Sequence, residues 1–157
     1  MQKRLVIDVV AIVISKPLKI GLYKDKKLFK EIIKDGLTSE ILPEIFDEIL
    51  KNYKIDSIIY SKGPGSFMAI KLSYIFFKTL QITNNIKLFG IDGFYFNNNK
   101  PIKAVKNSFF VKKEDIIALE KDKKEGEFFL PKTLKFNEFG DDEPLYVIKA
   151  VWKEINS

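Results

Sequence analysis

The chain contains no histidine and no cysteine, and these two absences exclude a large share of protein chemistry. Without imidazole or thiol it cannot supply the usual zinc sites, thiol nucleophiles, Ser-His-Asp triads or histidine general bases. Carboxylates and lysines would have to carry any catalysis by this chain alone. The missing cysteines also exclude a disulfide-stapled secreted scaffold and fit a cytoplasmic protein. No apolar run approaches the roughly 20 residues needed to span a bilayer. The opening Met1-Gln2-Lys3-Arg4 and the apolar run behind it look superficially like a signal peptide. Asp8 interrupts that run, however, and Lys16-Pro17 ends it without a small-residue cleavage pattern, so it reads as a buried strand.

What is present is enough for one domain, or one domain with a short appendage: 157 residues carrying a net charge of +6. Residues 1–99 hold 15 basic and 10 acidic side chains, and residues 100–157 hold 12 and 11. A positive field favours contact with an RNA-containing assembly, but no stretch of the linear sequence forms a basic stripe with interleaved aromatics.

Leu5 to Ile14 is β-branched almost throughout, which predicts a central strand buried on both faces. Lys19–Tyr23 and Leu28–Ile33 flank Lys24-Asp25-Lys26-Lys27, a composition suited to a hairpin connection. Thr38 or Ser39 is placed to cap a helix whose apolar positions Ile41, Leu42, Ile45, Phe46, Ile49, Leu50 and Tyr53 recur at three and four. Pro43 is expected within its first turn, which does not need the missing donor. Strands are predicted at Ile55–Tyr60 and Ile86–Ile91, with a second helix from near Ser66 to about Gln81. Three strands, helix, strand, helix, strand describes a mixed α/β sheet whose last two strands run parallel to the first. Asn97 to Pro101 is turn material and marks a boundary between residues 1–97 and a covering segment, residues 98–157. Within that segment Lys113 to Leu119 is read as a helical turn or two, and Lys121 to Glu127 as a solvated loop.

Lys62-Gly63-Pro64-Gly65-Ser66-Phe67 is the sharpest local feature, a glycine-flanked turn that leads from a strand straight into a helix. Gly63 and Gly65 permit positive φ or close approach, and Ser66 can cap the helix. It lacks the Gly-Lys-Ser/Thr ending of a Walker loop. Three readings remain open for it: a structural turn, an anion site, or a shaped edge for a protein partner. Asp8 is the one charge in the most apolar strand, and burying it unpaired would cost several kcal/mol. It is either a hydrated or backbone-bonded residue at a bend, or a ligand-facing carboxylate. Asp56 and Asp92 are candidates by position only, since no pair of carboxylates has diagnostic spacing. The second helix has apolar residues on far more than one face, with Met68, Ala69, Ile70, Leu72, Tyr74, Ile75, Phe76 and Phe77 between Phe67 and Leu80. Packing on a sheet needs only a stripe, so the surplus must be covered by the C-terminal segment or by another subunit.

Ser39-Glu40-Ile41-Leu42-Pro43, then Gly63-Pro64-Gly65-Ser66-Phe67 and Ile70-Lys71-Leu72, together resemble the TsaB (YeaZ) family. The strand bearing Asp8 and the late Pro144-Leu145-Tyr146-Val147 are similar to that family as well. The resemblance implies a ribonuclease H-like lobe of the actin and Hsp70 type, with a reduced C-terminal segment. It implies a non-catalytic partner of TsaD, the ATP-dependent subunit that transfers a threonylcarbamoyl group to the tRNA adenosine beside the anticodon. It also implies that the two helices form the contact with TsaD, or with a second copy when TsaD is absent, and that the ATPase TsaE joins near it. ATP and a divalent metal then act in the partner subunits, and tRNA is met only through the complex.

On this reading the expected contact residues are Ile41, Leu42, Ile45, Phe46, Ile49, Phe67, Ile70, Leu72, Ile75 and Phe76. Asp8, Gly63, Pro64, Gly65 and Ser66 are the expected structural turn or vestigial phosphate loop. The chain departs from the family at Val9, Thr38, Met68, Ala69 and Lys71, where small hydroxyl, His, Thr, Gly and Arg residues are usual, and this leaves no intact phosphate-binding apparatus. The competing functions are a nucleotide-binding phosphotransferase or metal-dependent hydrolase using Asp8, and a homo-oligomeric structural module using the same helix pair.

Overall fold

A computed structural model of the chain describes residues 3–145. Five strands form the main sheet: β1 (Leu5–Ile12), β2 (Leu18–Lys24), β3 (Lys27–Lys34), β4 (Tyr53–Ser61) and β5 (Lys87–Ile91). Their spatial order is β3-β2-β1-β4-β5. The first three are successive antiparallel neighbours, and β4 and β5 run parallel to β1. Two helices make the crossovers, α1 (Thr38–Asn52) and α2 (Phe67–Asn84). This is the mixed sheet expected from the sequence.

β1 is central because both of its faces are covered. Ile7, Val9, Ala11 and Val13 pack with α1 and α2, whereas Val10 and Ile12 join a second core on the opposite face. The period-2 alternation of strand side chains divides one apolar run between two layers. α1 presents Ile41, Leu42, Ile45, Phe46 and Ile49 to the sheet, and α2 presents Ile70, Ser73, Phe77 and Leu80. Phe46 clamps the helices together, its ring centroid lying 5.7 Å from Phe76 and 5.4 Å from Phe77 in edge-on geometry.

Three local expectations change. The N-cap of α1 is Leu37, with no side-chain cap, so Thr38 and Ser39 lie inside the first turn. Pro43 consequently sits one or two residues deeper than expected, in the second turn, and deprives the carbonyl of Ser39 of its helical donor; both residues are exposed, and water can take that role. α2 runs on to Asn84 and is stopped by Asn85 in the left-handed conformation, φ 53°.

The segment after β5 makes a 3-10 turn (Gly93–Phe96) and then a small antiparallel sheet of β6 (Ile102–Lys103), β7 (Ser108–Lys113) and β8 (Ile116–Lys121). The helix expected around Lys113 to Leu119 is therefore a hairpin. Glu114 adopts φ 57° at the turn, and Ile117 and Leu119 alternate onto the second core beside Phe110, so the strand period prevails over the helical one. Phe128, Leu130 and Leu134 then cross the same sheet face in extended chain and complete that core.

Candidate functional site

Gly63 to Ser66 joins the end of β4 to the start of α2, as the sequence predicted. Ser66 is the N-cap, its side-chain oxygen accepting from the amide of Ala69 at 3.4 Å. The glycines answer to packing. Gly63 has φ +121°, and a β-carbon there would lie 2.4 Å from the carbonyl oxygen of Leu145. A β-carbon on Gly65 would lie 2.8 Å from Ile14 Cγ2, and one on Gly93 2.1 Å from Ile14 Cδ1. The Gly93 amide donates to the Gly63 carbonyl at 2.8 Å. An isoleucine side chain thus occupies the concave side of the turn, which makes the surroundings apolar where an anion would need donors.

Asp8 is not part of this arrangement. It pairs in register with Ser57, six residues before Gly63 along β4, about 20 Å away at roughly 3.3 Å per residue. The hydroxyl of Ser57 donates to Asp8 Oδ1 at 2.6 Å. Burial raises the carboxyl above its ordinary range, the Ser57 hydrogen bond opposes this, and the nearby Asp56 adds to it. Asp56 is exposed and lies 3.9 Å from Lys87, and Asp92 accepts from the Phe94 amide and pairs with Lys112 at 3.0 Å. Among the described residues no three acidic side chains cluster as a metal site would require. A hydrolase or phosphotransferase centre joining Asp8 to the Gly63–Ser66 turn is therefore not assembled.

The ten expected contact residues divide by burial. Ile41, Leu42, Ile45, Phe46, Ile49 and Ile70 lie in this chain's own core, each at most 5% exposed, and hold the helices on the sheet. They present no surface to a partner, because the face of an amphipathic helix that packs on the sheet is the same face its apolar period marks. Phe67 and Ile75 are exposed, and Leu72 and Phe76 are half-buried.

The structure adds Met68 and Ile82, which the expectation left out, to the expected Ile75. Met68, Ile75 and Ile82 are 60%, 53% and 81% exposed and stand seven residues apart, with Leu72 and Thr79 between them. Such spacing at 3.5 residues places all five on one face of α2, an outward stripe about 21 Å long at roughly 1.5 Å per residue. The seven-residue interval is legible in the sequence, although its outward direction is not. At the N-terminal end a cleft of about 200 Å3, lined by Ile14, Leu37, Ser66, Met68 and Leu72, extends the apolar surface toward α1, where Leu37 is 65% exposed. The outer side of α1 is acidic instead, with Glu40, Glu44, Asp47 and Glu48 exposed.

Among the described residues, those after β5, up to Leu145, leave this stripe open. The second core lies on the opposite face of the sheet, and the described chain meets the helices along the flank of α2. Gly140 exchanges backbone hydrogen bonds with Gly90, Asp142 pairs with Lys78 at 2.7 Å, and its carbonyl accepts from the Tyr60 hydroxyl at 2.5 Å. Leu145 then donates its amide to the carbonyl of Lys62 at 2.7 Å. Tyr146, Val147, Val151 and Trp152, in which the sequence recovers apolar character, lie outside the described residues.

Two solved structures share this architecture. One is YeaZ from Pseudomonas aeruginosa, with a TM-score of 0.56 and 11% identity over 76% of this chain. The other is described as an uncharacterized protein with similarity to peptidase YEAZ from Pseudomonas aeruginosa, with a TM-score of 0.51 and 11% identity over 75% of this chain. The chain spans 66% and 65% of their respective lengths. No family model and no curated protein sequence matches it. The likeness establishes the fold, a mixed α/β lobe of the actin and Hsp70 type.

Proposed function

We propose that this chain is a non-catalytic subunit that binds TsaD through the outward face of α2 and supports N6-threonylcarbamoyladenosine modification of the tRNA adenosine adjacent to the anticodon. TsaE is the further partner, ATP and the divalent metal act in the partner subunits, and tRNA is met through the complex. The observation that carries this reading is the stripe Met68, Leu72, Ile75 and Ile82. Its exposed members Met68, Ile75 and Ile82 lie on the side of α2 away from the sheet, and the described residues from 98 to 145 leave them uncovered. Shared architecture with YeaZ and the order of the Ser39–Pro43 and Gly63–Phe67 motifs support the choice of partner.

The role needs no catalytic side chain. Covering three large apolar side chains at an interface contributes a few kcal/mol before association costs. A subunit that binds the active arrangement of TsaD more tightly than the inactive one stabilises it by linkage. The acidic outer side of α1 beside the apolar stripe sets a polarity that the partner surface must match, with basic groups opposite Glu40, Asp47 and their neighbours.

Reconstitution tests the reading. Purified TsaD, TsaE and the adenylate-forming enzyme are assayed for tRNA modification with and without this chain, and modification is expected to depend on it. Equal modification in its absence, with no capture of TsaD, would refute the proposal. Self-association of the chain that TsaD does not displace would instead support a homo-oligomeric module built on the same stripe.

A further inference from the structure

The linear sequence has no basic stripe, but the fold builds a basic corner from two segments more than a hundred residues apart. The extended chain around Thr133 pairs with the β2–β3 turn. Leu28 donates its amide to the Lys132 carbonyl at 2.9 Å, Leu134 donates to the Lys26 carbonyl at 2.8 Å, and Lys27 bridges Thr133. Lys132 and Lys135 are thereby brought beside Lys24, Lys26 and Lys27, and all five side chains are exposed. Asp25 is the only carboxylate within either stretch, residues 24–27 or 132–135. None of the five lysines forms an ion pair among the described residues, which they share with others such as Lys16 and Lys103; what sets them apart is that pairing of distant segments gathers them at one corner.

An aromatic ring accompanies the charge. The Lys26 ammonium stands 6.0 Å from the centroid of the half-buried Phe136, whereas Phe29, two residues beyond Lys27, packs its ring on Tyr53, 5.9 Å between centroids. We propose that this corner is a binding surface for single-stranded nucleic acid, with the lysines on phosphates and the rim of Phe136 offered to a base. Clustered lysines beside an aromatic rim are a combination that single strands use, because the backbone supplies dense negative charge and every base has a stacking face. An acidic peptide would use the lysines and leave the ring idle. A bilayer would require an inserting apolar face, and the long apolar stripe of this molecule lies on α2, across the sheet from the β3 edge.

The inference is independent of the α2 reading, because its test uses this chain alone. Binding of a fluorescein-labelled 20-nucleotide RNA of mixed sequence is followed by anisotropy as salt is varied. The wild-type chain is expected to bind saturably, with log K falling against log salt at a slope of about −3, since each single-strand phosphate contact contributes roughly −0.7. Joint Lys24→Glu, Lys27→Glu, Lys132→Glu and Lys135→Glu replacement is expected to weaken binding at least about tenfold and flatten the slope. The same change of charge placed elsewhere, at Lys16, Lys103, Lys121 and Lys124, is expected to leave affinity within about twofold. Melting curves confirm that each variant is folded, and glutamine at the four corner positions provides a milder replacement. Absence of saturable wild-type binding, equal losses in the two charge variants, or binding to anionic phospholipid vesicles with the RNA silent would each overturn the proposal.

Discussion

Ile14 Cγ2 stands 2.8 Å from the place where any side chain at position 65 would put its β-carbon. That relationship explains why glycine follows Pro64, and it makes the turn a packing device around Ile14. Gly65→Ala is expected to cost about 1–3 kcal/mol by overpacking. Combined with Ile14→Ala the two changes are expected to be non-additive, with a coupling of about 0.5–3 kcal/mol. Denaturant melts of the two single variants and the double variant measure it, and strict additivity would remove Ile14 as the reason for the glycine.

The two helices carry apolar residues with opposite duties. Ile75→Glu is expected to lower TsaD affinity at least about tenfold and leave the melting temperature almost unchanged, because the side chain already lies half in water. Ile45→Ala, in the core of α1, is expected to do the reverse and cost about 2–5 kcal/mol of stability. Calorimetric titration alongside thermal denaturation separates the two, and a stable Ile75→Glu chain that still binds TsaD normally would remove this face from the interface.

Asp8 makes stability depend on pH in a defined direction. Its carboxyl is raised in the folded chain by burial, so the folded state holds its proton more tightly than the unfolded one does. The resulting stabilisation is complete below the unfolded value near 3.8 and is lost as pH rises through the raised value. Asp8→Asn keeps an acceptor for Ser57 and carries no charge. It is expected to melt higher than wild type at pH 7, with the difference closing as pH falls below about 4. A difference that stays constant from pH 3 to 7 would contradict this assignment.

The Tyr60 hydroxyl ties the chain at Asp142 to the end of β4, beside the Lys78 ion pair to α2. Tyr60→Phe keeps the ring in its contacts with Phe77 and Tyr74 and removes that donor. A stability loss of about 1 kcal/mol is expected. Faster amide exchange is expected at Gly140 and Leu145, whose amides bond to Gly90 and Lys62. Exchange rates unchanged at both amides would show that the segment is held by its backbone bonds alone.

Much of this was legible before any coordinates. The β-branched run from Leu5, the hairpin at Lys24 to Lys27 and the helical spacing from Ile41 to Ile49 each state their own structure, because backbone periodicity is local. The same periodicity misled at Lys113 to Leu119, where a short apolar run fits a helix and a strand alike and only pairing with Ser108 to Lys113 decided between them. Spacing likewise marked Ile41, Leu42, Ile45, Phe46, Ile49 and Ile70 as an apolar face without saying what covers it, and in the structure this chain's own core does.

The sequence by itself therefore determined the order of strands and helices through β5, the glycine turn into α2 and the absence of imidazole and thiol chemistry. All of these depend on neighbouring residues or on composition. Tertiary structure alone decided that Asp8 and Gly63 lie far apart, that Met68, Ile75 and Ile82 face outward, and that Lys132 and Lys135 meet Lys24 to Lys27. Each of those facts depends on register between distant segments, and register is chosen by the burial of whole faces together.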